Sequence, residues 1–136
     1  MKSFQSIPFT EEIDLRSYEI FKGLTDNDIA HLNQTMSCTL HKRGNIIYHE
    51  GSRINGTYII LSGILKIYKT GFDGKEQIIR FAKSGDLIGF RSVISDELAC
   101  TTTKVINDAL LCYLPGDALT SLIKTNSEFA MALMKL

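Results

Sequence analysis

The side chains best suited to holding a ligand lie between Gly89 and Thr103, in the stretch GFRSVISDELACTTT. Arg91 supplies a permanent cation, Ser92 and Thr101, Thr102 and Thr103 supply hydroxyls, and Cys100 supplies a thiol. Hydroxyls beside a guanidinium suit a small anion or a polar effector, since both donate to oxygen and one carries full charge. Each residue also has an ordinary explanation. An Arg at the start of a short helix commonly points to solvent, consecutive threonines are common strand formers, and a free cysteine is more often an inert hydrophobe than a reactive thiol.

Other chemistries find little support. The three histidines, His31, His41 and His49, are isolated, so each reads as a surface or packing residue rather than a haem ligand. A metal-dependent cupin needs His-x-His, a carboxylate and a later His, but only His49-Glu50 and a distant His41 are present. No Ser-His-Asp set, phosphate-binding Gly-Lys loop or paired-carboxylate motif stands out, so no catalytic residue and no metal site are assigned. Cys38, Cys100 and Cys112 are odd in number and widely spaced. They suggest neither a disulfide framework nor a zinc pair, which places the chain in a reducing cytoplasm.

A chain of 136 residues is about one domain. Its 15 Lys and Arg balance 15 Asp and Glu, so no bulk positive field marks nucleic acid as a partner of this segment. The opening MKSFQSIPFTEEIDLRSY lacks a long apolar run and carries early acids, unlike a signal peptide or membrane span.

Residues 1–37 read as a helical lead-in. Thr25 can cap a helix with Asp28 as box partner, placing Ile29, Leu32 and Met36 on one face. The earlier EEIDLRSYEIF spaces Ile13, Tyr18 and Phe21 less regularly. Residues 38–115 are rich in Ile, Val, Tyr and Thr, with short glycine-bearing connections. Asp73-Gly74 is a hairpin signal, Gly63 marks a bend or bulge, and Pro115 closes the last strand. Short strands with regular turns predict an antiparallel roll. Residues 116–136 return to helix, with Asp117 a cap for ALTSLIKTN and Asn126 or Ser127 for EFAMALMKL. That last piece is apolar on nearly every side, so it needs one partner in its own domain and another beyond it.

These glycines and strands carry a family resemblance. RGNIIYHEGSRINGTYIILSGILKIYK, with Gly44, Gly51, Tyr58-Ile59-Ile60 and Ser62-Gly63, resembles the opening of the cyclic-nucleotide-binding β-roll of CRP/FNR-type bacterial transcription regulators. DGKEQIIRFAKSGDLIG continues the pattern through Gly74, Gly85-Asp86 and Gly89, and FKGLTDNDIAHL resembles the helix before the roll. The likeness spans about residues 18–136.

It implies a mainly β fold with flanking helices, a double-stranded β-helix followed by the start of a dimerisation helix. In the family a small effector binds in the roll and shifts that helix, which repositions a C-terminal helix-turn-helix for the major groove. The expected partner is a second copy, through Phe129, Ala132, Leu133 and Leu136. DNA would be reached only through a domain absent from this chain, which stops in mid-helix pattern and is expected to continue. The runner-up is a stand-alone regulatory module acting through protein contacts.

Members that bind cyclic AMP read Gly-Glu at the start of the phosphate segment and Arg-Ser or Arg-Thr at its end. Here Gly89 matches, Phe90 stands at the Glu position, Cys100 at the Arg position and Thr101 at the hydroxyl. The carboxylate for a ribose hydroxyl and the cation for the phosphate are both replaced. The candidate pocket, comprising Gly89, Phe90, Arg91, Ser92, Cys100, Thr101 and Thr102, is therefore expected to disfavour cyclic nucleotides and to take a small polar or anionic effector. The oxygen-sensing branch of the family holds an iron–sulfur cluster on cysteines mostly near the N-terminus, but none here precedes Cys38.

Overall fold

The computed structural model describes residues 4–7 and 14–136. Its strands are β1 (Phe4–Ile7), β2 (Ser37–His41), β3 (Ile46–Tyr48), β4 (Gly56–Thr70), β5 (Glu76–Ala82), β6 (Leu87–Ile88) and β7 (Thr102–Pro115). The helices are α1 (Asp26–Thr35), α2 (Phe90–Ser95), α3 (Gly116–Thr125) and α4 (Ser127–Met134). All strand pairs are antiparallel, in the order β1-β2-β7-β4-β5, with β3 also on β7 and β6 on β4.

The frame is the long β4–β7 ladder, paired from Gly56 with Pro115 to Tyr68 with Thr102. Side-chain alternation along it feeds two cores. Ile59, Cys112 and Leu114 face a helical layer with Phe21, Leu119 and Phe129. Their neighbours Ile60 and Leu111 face the inside of the roll with Leu65, Val105 and Ile88. The ladder breaks register on both sides of Gly63, whose φ is +95°. A Cβ at this position would sit 2.6 Å from the Ala109 Cα and the Asp108 carbonyl, so only glycine allows the two backbones to approach there. The expected Asp-Gly hairpin joins β4 to β5, with Gly74 at φ +79°.

The lead-in differs from the helical expectation. Phe4–Ile7 pairs with β2, and Leu15–Ser17 and Glu19–Phe21 form two 3₁₀ turns. Leu15, Ile20 and Phe21 are the buried anchors of these turns. Their spacing fits no single helical face, so two short turns bury them where one helix would not. Ile13, part of the expected helix, lies outside the described residues. Downstream, Thr25 accepts the Asp28 N–H at 3.1 Å while Asp28 accepts the Thr25 N–H at 3.0 Å, the reciprocal cap the sequence predicts for α1.

Two C-terminal expectations change. α3 starts at Gly116 with Pro115 as its N-cap, so Asp117 occupies the first turn, where its charge suits the helix dipole. α4 is capped by Asn126, whose side chain accepts the Phe129 N–H at 2.9 Å and donates to the Gly23 carbonyl at 3.0 Å and Asp28 at 2.8 Å. This amide fastens α4 to the cap of α1. It turns Phe129 and Leu133 into the domain's own core, with Phe129 stacked on Phe21 at 6.1 Å between ring centres. Those two residues are therefore unavailable to a partner. Ala132 is half-buried, and the face left open is Met131, Met134 and Leu136.

The cysteines also depart from expectation. Cys38 and Cys112 are directly opposite in the β2–β7 ladder, their Cα atoms 3.9 Å apart, and form a disulfide. The 74-residue separation conceals this pairing in the sequence, because adjacency arises only from the sheet. Cys100 is free and exposed. Thiol titration of the denatured, unreduced protein should find one thiol per chain, rising to three after reduction; three before reduction would contradict the bridge.

Candidate functional site

β3, β4, β5, β6, α2 and the turn into β7 line a half-open cavity of about 190 Å³. β6 ends at Ile88, and Gly89 reverses the chain at φ +82° into α2. Nothing crowds a Cβ there, with the nearest heavy atoms 3.6 Å away, so backbone conformation alone calls for glycine. α2 has six residues and no side-chain N-cap, and it ends on Asp96, also left-handed at φ 56°. So short a helix contributes little dipole, and the electrostatics of the cavity fall to its side chains.

Of the residues expected at the site, the structure brings Gly89, Phe90, Arg91, Ser92, Cys100 and Thr101 to the cavity wall. Thr102 is excluded. It points the opposite way along β7, and its buried hydroxyl accepts the Glu50 N–H at 3.0 Å. Phe90 is buried and presents an aromatic ring where a ribose-binding carboxylate was sought.

Two polar residues of the wall escaped sequence reasoning. Tyr48 comes from β3 and Arg80 from β5. Arg80 pairs with the buried Ile67 and lies two residues before the buried Ala82, so it takes the inward side of β5 at the rim. The available signal was a single cation inside the apolar run IIRFA. Arg80 makes one long ion pair, 3.8 Å from Nη1 to Asp86, whose same oxygen accepts the Lys83 N–H at 2.9 Å. Arg91 lies over the Phe90 ring at 5.1 Å, and its Nη2 donates to the carbonyl of Leu136, just beyond α4.

Burial pushes the Tyr48 phenol above its ordinary value, so it is a neutral donor at physiological pH. The Thr103 and Thr101 hydroxyls and the Arg80 charge partly oppose that rise. Thr103 Oγ1 is buried close to the Tyr48 phenol. The cavity wall thus holds two guanidiniums, one phenol and the Thr101 and Ser92 hydroxyls, with no carboxylate. Among the described residues, no three His, Cys, Asp or Glu side chains gather to hold a metal, and no helix is long and apolar enough to cross a membrane.

A β-roll with a cavity behind a short helix defines a class of ligand-sensing domain, and the comparisons give its family. The model of the cyclic nucleotide-binding domain matches residues 39–126, more than half of the chain. The chain belongs to this family.

It is 27% identical over 116 residues to the CRP-like cAMP-activated global transcriptional regulator of Mycobacterium tuberculosis, spanning 85% of this chain and 52% of that protein. It is 32% identical over 93 residues to the rat patatin-like phospholipase domain-containing protein 7, spanning 68% of this chain and 7% of that one. This chain therefore spans at most about half of these relatives. Among solved structures, the sensor domain of the transcriptional regulator DNR from Pseudomonas aeruginosa aligns with a TM-score of 0.80 at 20% identity, over 89% of this chain and 81% of that one. The Thermus thermophilus catabolite activator protein aligns at 0.75 and 21% identity, over 85% and 55%. At these identities the two likenesses establish the shared fold.

Gly89→Ala tests the hinge into α2. Because strain rather than crowding opposes it, the cost in urea unfolding should be about 1–2 kcal/mol, and Gly89→Asn should cost less. A neutral Gly89→Ala would contradict the left-handed turn.

Proposed function

We propose that this chain is the effector-binding domain of a CRP/FNR-type transcription regulator, acting in the cytoplasm as a homodimer and reaching DNA through a further C-terminal domain. One observation carries the coupling. Phe90, in the cavity wall at the start of α2, is buried in the same core as Phe129 and Leu133 of α4, so a ligand that shifts α2 bears on the packing of the terminal helix. A ligand can shift such an equilibrium only through differential affinity for the two states. A different packing of Phe90 in that shared core supplies that difference. The exposed Met131, Met134 and Leu136 form the apolar edge that a second copy would cover. Burial of both residues shields the Cys38–Cys112 bridge, once formed, from thiol exchange, which requires access to sulfur.

Cyclic AMP is not the ligand in this reading. The mycobacterial relative is described as cAMP-activated, but here Phe90 and Cys100 occupy the two positions where charged contacts would be made. Losing one charge-assisted hydrogen bond costs about 1.5–3 kcal/mol, which is roughly ten-fold or more in affinity. Calorimetric titration should show no submicromolar binding of cyclic AMP or cyclic GMP, and Cys100→Arg, at an exposed position, should gain about ten-fold for cyclic AMP. Submicromolar affinity in the unaltered protein would overturn the assignment.

The match to a small part of a patatin-like phospholipase protein favours a second reading, a regulatory module within a protein of another kind. Sedimentation of the full-length protein separates the two. The regulator reading expects a dimer that weakens on Met131→Glu/Met134→Glu, and a strict monomer would count against it.

A further inference from the structure

The charge of the cavity narrows the chemistry of its ligand. Two guanidiniums, Arg80 and Arg91, stand in the wall and no Asp or Glu does. Arg80 spends only Nη1 on its long contact with Asp86, leaving most of its five N–H donors for another partner. The neutral Tyr48 hydroxyl lies within the field of Arg80, beside the hydroxyl of Thr101. The rest of the wall is largely apolar, built from Ile67, Leu87 and Phe90 among others. At about 190 Å³ the cavity lies below the ~300–1,000 Å³ of typical small-molecule pockets.

We propose that this cavity binds a small carboxylate with a compact apolar body, its charged head held by Arg80 and the Tyr48 hydroxyl. The inference rests on the sensor reading and names the effector's chemical class. Arg80 restores, from β5, the cation that Cys100 fails to supply at the end of the phosphate segment. A planar guanidinium matches a carboxylate through two parallel N–H bonds, and the phenol donates without adding charge. Inorganic phosphate would satisfy the cation but leave the apolar walls unfilled. A neutral ligand of the same shape would leave Arg91 unpaired by it and Arg80 with only its long contact to Asp86.

The test uses four probes in calorimetry or ligand-observed NMR: benzoate, its neutral counterpart benzyl alcohol, inorganic phosphate and cyclic AMP. Benzoate should bind most tightly of the four and benzyl alcohol at least about ten-fold more weakly. Arg80→Gln should weaken benzoate by about ten-fold or more, and Arg80→Lys by less. Arg80 is half exposed, so neither variant should unfold the protein, which circular dichroism verifies.

Equal binding of benzoate and benzyl alcohol, an unchanged Arg80→Gln, tighter binding of phosphate or cyclic AMP, or no binding of benzoate at millimolar concentration would each overturn the inference. Dimerisation fails or holds independently of these titrations. A monomer that binds benzoate through Arg80 would sink the regulator reading alone, and a dimer that ignores benzoate would sink the carboxylate alone.

Discussion

The β4–β7 ladder is the constraint on which the rest depends. Two strands of 15 and 14 residues run antiparallel, and each contributes to both cores because successive side chains face opposite ways. At Gly63 the pairing slips, and the backbone of β4 approaches Ala109 too closely for any side chain. Beyond that point the ladder carries β5 on one side and β3 on the other, bringing Arg80 and Tyr48 to one cavity. At its other end β4 pairs with β6, which delivers Gly89 and α2 to the same place. The cavity is a product of these pairings more than of any single segment.

Fold and ligand are thereby governed by different residues. Glycines at the turns and bulge, with the alternating apolar positions, reproduce the roll of the family. The ligand depends on a few wall side chains that the roll tolerates freely, since they lie at its rim. Phe90 is the exception. It is buried and therefore structural, so exchanging it for a carboxylate disturbs packing as well as chemistry. Arg80 takes the inward side of β5 at the rim, and Arg91 is exposed at the start of α2. On the helical side, Asn126 joins α4 to the cap of α1, which makes the first turns of α4 part of the domain. Phe90 shares that core with Phe129 and Leu133, so a shift of α2 would bear directly on α4.

The local features were legible in the sequence because local chemistry causes them. Thr25 with Asp28 marked a helix start, Asp73-Gly74 a hairpin, Gly63 a bulge and Pro115 a strand end, and each is where the structure has it. Six of the seven candidate residues line one cavity because they fall within one short stretch of chain. What was missed depends on pairing across distance. Cys38 and Cys112 meet only through the β2–β7 register, and Arg80 reaches the cavity only because a bulge between Ile67 and Tyr68 sets its phase. Thr102 was misplaced by the one-residue alternation of a strand whose phase no single sequence fixes. Phe129 and Leu133 were assigned outward because a helix apolar all round does not show which side its own domain takes.

The central claim is that this roll keeps the family's architecture while its cavity selects a small anion over a cyclic nucleotide. Non-denaturing mass spectrometry of the protein purified from its source organism addresses that claim without choosing a probe. The account predicts a bound species lighter than a cyclic nucleotide, released as an anion and absent from Arg80→Gln. Recovery of a cyclic nucleotide in one-to-one ratio with the chain would contradict it.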